Sequence, residues 1–136
     1  MRPAEREQEA DTVSLVVNDE PASVARFRAT VETVAREHGL SPDATFALKV
    51  ATSEALTNAL RAAAGEAVSV DVSLEGEADA IQVEVLGRGR FRLVDGREPE
   101  RGRGLPLMVA LADEVEFSRT DEGTRVRIRM RVARDV

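Results

Sequence analysis

Cysteine, tryptophan and tyrosine are absent from this chain, and histidine and lysine occur once each, as His38 and Lys49. Without cysteine there is neither a disulfide framework nor a thiolate metal site. A lone histidine cannot build a metal centre, and its place just before Gly39 suits a positive group at a helix C-terminus. No run of 18 apolar residues occurs, so no membrane span is expected. The opening MRPAEREQEADT is polar and acidic and lacks the apolar core of a signal peptide. A cytoplasmic protein is therefore the expectation. There is no internal repeat and no low-complexity segment.

What is present divides unevenly by charge. The net charge of −6 joins an acidic part, residues 1–86, with 16 acids against 7 basic groups, to residues 87–136, with 9 acids against 12 arginines. An overall acidic chain is a poor candidate for direct nucleic-acid binding. The arginine-rich part either solvates an exposed face or meets phosphate or an acidic protein surface.

The length fits one domain with a real core. Residues 1–11 read as a flexible acidic tail and 12–134 as a single domain. Thr12–Asn18 is β-branched and apolar and reads as a strand. Pro21 opens a first helix, with Val24, Phe27, Val31 and Val34 at helical spacing up to Gly39. A second helix starts after Ser41, a candidate N-cap, and runs to about Ala64, closed by Gly65. Ala67–Leu74 and Ala80–Leu86 alternate with period two. Gly87–Gly104 is rich in Gly and Arg and has no period. Leu105–Ala112 reads as a short helix, and Glu114–Ser118 and Thr124–Val132 as strands joined at Asp121-Glu122-Gly123. The order β-α-α-β-β-loop-α-β-β predicts an α/β (α+β) two-layer sandwich, with a mixed, mostly antiparallel sheet and helices on one face. In the last strand Val126, Ile128, Met130 and Val132 face the core. Arg125, Arg127, Arg129 and Arg131 line the open face, as solvated surface or as a docking surface for an acidic partner.

The second helix carries the chemistry. Phe46, Val50, Leu56 and Leu60 supply its apolar stripe, and Glu54, Asn58 and Arg61 a polar one. Glu54 and Asn58 lie four residues apart, so both leave the same face. An amide oxygen suits a hard cation such as Mg²⁺, and a carboxylate beside it can orient or deprotonate a nucleophile. Glycines at 102 and 104 precede the short helix, an arrangement that presents backbone N–H groups to phosphate.

SEALTNAL at Ser53–Leu60, GRGLPLMVALADEVEF at Gly102–Phe117 and DEGTRVRIR at Asp121–Arg129 together resemble the GHKL (Bergerat-type, histidine kinase-like) ATPase fold. Within it they are similar to the bacterial anti-sigma-factor serine/threonine-protein kinases of the RsbW type. The resemblance covers roughly residues 12–132. It implies ATP and Mg²⁺ as cofactors, Glu54 as general base toward a Ser or Thr hydroxyl, and Asn58 as the Mg²⁺ ligand. It assigns Gly87, Gly89, Gly102, Arg103, Gly104 and Leu105 to nucleotide binding, and the Gly87–Arg101 segment to an ATP lid. It implies a sigma factor and an anti-sigma-factor antagonist as partners, control of transcription by partner switching, and a homodimer.

One box departs from the family pattern D-x-G-x-G, whose Asp accepts the adenine amino group. Here the segment is VEVLGRGRF, Val83–Phe91, without an Asp. In one register Gly87 stands at the Asp position, with Gly89 kept and Phe91 at the second Gly. In the other, Val85 stands there and Gly87 and Gly89 align with the glycines. Neither restores the acceptor. Phosphotransfer is therefore left open, and the alternative is a degenerate GHKL scaffold acting as a nucleotide-independent protein-binding module.

Overall fold

The computed structural model describes residues 12–75, 79–87, 108, 110–121 and 123–132. Strand β1 (Thr12–Val17) leads into helix α1 (Pro21–Glu37) and helix α2 (Pro42–Ala63). Strands β2 (Val68–Glu75), β3 (Ala80–Gly87), β4 (Glu114–Thr120) and β5 (Gly123–Arg131) follow. Ahead of β4, Met108, Ala110 and Leu111 are helical, and Ala112 N–H donates to Met108 O at 3.0 Å. This is the end of the short helix expected at Leu105–Ala112.

The sheet order is β1-β2-β3-β5-β4, and every ladder is antiparallel. The expected mixed sheet is thus antiparallel throughout among the described residues. β5 inserts between β3 and β4, pairing Val83 with Ile128 on one side and Val115 with Ile128 on the other.

Alternation decides the two faces. Val68, Val70, Val72, Ile81, Val83, Val85, Val126, Ile128 and Met130 point to one side and are buried. There they meet Phe27, Val31 and Val34 of α1 and Leu48, Ala51, Ala55, Leu56 and Ala59 of α2. Both helices therefore cover a single face of the sheet, as a one-sided apolar pattern requires.

The helix ends follow local chemistry. Ser41 Oγ accepts from Ala44 N at 3.1 Å, and Pro42 occupies the first turn, so the predicted N-cap of α2 is in place. α1 ends in a Schellman turn: Gly39 N–H donates to Arg36 O at 3.1 Å and Leu40 N–H to Ala35 O at 2.9 Å. Gly39 takes φ +86°, which explains the glycine, and His38 is the C-cap residue ahead of it. α2 closes one residue earlier than its sequence suggests. Ala64, not Gly65 alone, adopts left-handed backbone, at φ 53°.

Candidate functional site

The site is set by the rotation of α2 about its own axis. Thr45, Leu48, Ala51, Thr52, Ala55, Leu56, Ala59 and Ala63 are its buried residues. The four alanines let the helix lie close to the sheet, and the buried Thr52 hydroxyl is satisfied by donating to Leu48 O at 2.8 Å. With roughly 100° per residue, Asn58 lies about 100° and Glu54 about 140° round from the centre of this core stripe, about 40° from each other. Both are half-buried, so they sit where packed core gives way to solvent.

This rotation corrects one expectation. Phe46 does not belong to the apolar stripe: it is 68% exposed. Periodicity allowed Phe46 to join Val50 inside, but the alanine-rich face packs on the sheet instead; Phe46 lies about 140° round from it, and Val50, also expected in the stripe, is only half-buried.

Phe46 instead lines an open cleft of about 320 Å³ with Arg28, Lys49, Val50, Ser53 and Glu54. α1 supplies Arg28, whose Nε donates to Ser53 Oγ at 3.2 Å. Lys49 Nζ lies 3.0 Å from Glu32 Oε1, and Arg36 holds the other oxygen of Glu32 at 2.6 Å. The hydrogen bond from Lys49, then the charges of Arg36 and Lys49, hold the Glu32 carboxyl below its ordinary value. Glu54 belongs both to the cleft and to the face it shares with Asn58. A hydroxyl entering from the cleft side therefore meets a carboxylate, with an amide one turn further along. Arg28 and Ser53 lie 25 residues apart in sequence, and no local signal joins them. Lys49, as the lone lysine, carried only a weak one.

The end of β3 is the second part of the site. Alternation continues through Gly87, which is buried and pairs with Thr124 of β5. Val85 and Gly87 therefore both face the helix side, and neither offers a hydrogen-bond acceptor from its side chain. Thr124, only 2% exposed, brings a hydroxyl to the position opposite Gly87. Sequence reasoning missed it because a threonine in a strand is ordinary until its partner across the ladder is known. Gly89, Gly102, Arg103, Gly104 and Leu105, together with the Gly87–Arg101 lid beyond Gly87, lie outside the described residues.

Among the described residues no group of three His, Cys, Asp or Glu could hold a metal. A cation at Asn58 would thus take few protein ligands and complete its shell with phosphate oxygens and water, the habit of Mg²⁺. At the metal end the described residues offer the Asn58 amide oxygen. The base end lacks the carboxylate expected there.

Three arginines of the open face, Arg125, Arg127 and Arg129, have carboxylates beside them. Arg127 Nε donates to Glu84 at 2.7 Å and its Nη1 lies 3.3 Å from Glu116. Arg129 reaches Glu75 at 3.0 Å and Glu114 at 2.8 Å, and Arg125 lies 3.6 Å from Glu84. Hydrogen bonds to Glu84 and Glu114 raise the pKa values of Arg127 and Arg129 respectively. Such partly exposed pairs contribute only about 0.2–1 kcal/mol each. They offset the charge of Arg125, Arg127 and Arg129, which lowers the positive charge this face offers to an acidic partner.

No helix among the described residues is long and apolar enough to cross a membrane. A comparison with curated proteins finds no match. Among solved structures, the chain is similar to the RsbU and RsbW domains of Rv1364c from Mycobacterium tuberculosis, with TM-score 0.70 and 19% identity. That likeness covers 91% of this chain and 33% of the other, so this chain spans about a third of that protein's length. It is also similar to a chain of the SiaB–SiaC complex from Pseudomonas aeruginosa, with TM-score 0.63 and 14% identity, covering 93% and 94% of the two chains. At these identities the likeness concerns the fold. The sequence itself matches the Histidine kinase-like ATPase domain family over residues 17–130, nearly the whole domain, and the chain belongs to that family.

Proposed function

We propose that this protein is a regulatory ATP-binding protein of the anti-sigma-factor kinase type, which controls a sigma factor by partner switching. The observation that carries the reading is Glu54: it shares one half-buried helix face with Asn58 and also lines the cleft beside Arg28, Ser53 and Phe46. A carboxylate placed between a cation-binding amide and an open cleft suits a residue that receives a proton from an incoming hydroxyl. Asn58 would hold Mg²⁺, and the backbone of Gly102, Arg103, Gly104 and Leu105 would hold the phosphates. Mg-ATP, when bound, would supply an electrophilic γ-phosphoryl group. The chain's share is positioning. Glu54 accepts the hydroxyl proton of a Ser or Thr on the antagonist, and the cleft orients the polypeptide that carries it.

The family resemblance supports the sigma factor and antagonist as partners, and a homodimer. One structural neighbour was solved as a SiaB–SiaC complex and another with RsbU and RsbW domains together, which supports a fold that works beside a protein partner. A second reading, a nucleotide-independent binding module, is favoured by the absent acceptor at Val85 and Gly87.

Calorimetric titration of Mg-ATP into the wild type, Asn58→Ala and Glu54→Gln tests the proposal. Micromolar binding that weakens at least tenfold in Asn58→Ala and persists in Glu54→Gln is expected. Absence of heat and of any thermal shift at millimolar Mg-ATP would favour the second reading.

A further inference from the structure

The end of β3 carries an inference about ligand selection, which rests on the nucleotide-binding reading above. A carboxylate only accepts hydrogen bonds, so where it meets a base it selects an exocyclic amino group, as in adenine, and opposes a carbonyl, as in guanine. An unpaired acceptor facing another acceptor in a buried site is what makes such discrimination large. Here the inward positions of β3 are Ile81, Val83, Val85 and Gly87, and none carries an acceptor. The nearest carboxylate on the strand, Glu84, points to the opposite face, where Arg127 holds it at 2.7 Å and Arg125 lies at 3.6 Å. It cannot turn inward without crossing the sheet. Among the described residues, the side chain directly across the ladder from Gly87 is Thr124, whose hydroxyl is on the helix side and which is buried. A hydroxyl both donates and accepts, so it serves an amino group and a carbonyl equally well.

We propose that the site does not discriminate between purine bases and that Gly87 and Thr124 are the residues responsible. The ligand class is then a magnesium-bound purine nucleoside triphosphate, read at its triphosphate and metal, with the base tolerated. Gly87 carries ordinary strand conformation, so a side chain there needs no left-handed backbone, and the selectivity can be reinstalled by one substitution.

The test is calorimetric titration of Mg-ATP, Mg-GTP and Mg-tripolyphosphate into the wild type and Gly87→Asp, with circular dichroism to verify folding. The wild type is expected to bind ATP and GTP with constants within about threefold, and Gly87→Asp to favour ATP by roughly tenfold or more. Should Gly87→Asp fail to fold, Thr124→Val replaces it, a change of nearly constant volume expected to weaken ATP and GTP by the same factor. A wild-type preference for ATP of tenfold or more, or unequal weakening in Thr124→Val, overturns the proposal and leaves nucleotide binding standing. Absence of binding by all three ligands at millimolar concentration overturns the nucleotide reading itself, and the proposal with it.

Discussion

Phe46→Ala tests the rotation of α2, on which the placement of Glu54 and Asn58 depends. Phe46 is 68% exposed, so about a third of a side chain of roughly 200 Å² is in contact with protein. At about 25 cal/mol per Å² this contact contributes at most about 1.6 kcal/mol, and the Cβ kept by alanine lowers the expected loss to about 1 kcal/mol. Leu48, on the same helix, is fully buried, and Leu48→Ala is expected to cost about 2–5 kcal/mol because it removes contacts and leaves a cavity. Urea denaturation of both variants gives the comparison from midpoints at unchanged slope. In thermal melts the shifts should be near 4 °C for Phe46→Ala and about 8 °C or more for Leu48→Ala. A loss of 3 kcal/mol or more for Phe46→Ala would refute the reasoning. It would mean that Phe46 faces the core, which would swing Glu54, about 80° further round the helix, out of the cleft.

Two further outcomes follow from the same geometry. Ala64→Gly should stabilise the protein by about 0.5–1 kcal/mol, since Ala64 holds φ 53° at the end of α2 where glycine bears no Cβ penalty; a higher urea midpoint checks it. The depressed pKa of Glu32 makes its pairing with Lys49 and Arg36 a source of stability that is present above the ordinary value of 4.5 and lost as pH falls through the lower folded value. Wild type should therefore exceed Glu32→Gln in stability near pH 7 and converge with it under acid conditions, read from urea midpoints across pH; a gap independent of pH would refute the pairing.

Much of this protein is local and legible in its sequence. Period-two runs set β2, β3 and β5 because a strand with one buried face must alternate. Ser41 and Pro42 mark the start of α2, and Gly39 the end of α1, because caps satisfy backbone groups within a few residues. The spacing of Glu54 and Asn58 likewise guarantees a shared face. What that face adjoins was settled only by the tertiary structure. Periodicity says which residues point together, but the fit of Ala51, Ala55 and Ala59 against the sheet chose the rotation that exposes Phe46. Packing of α1 on α2 brought Arg28 to Ser53, and the insertion of β5 between β3 and β4 gave its arginines their glutamate partners. The same ladder set Thr124 opposite Gly87. Each of these joins residues distant in the chain, and contacts of that kind depend on strand order and register, which local periodicity does not encode.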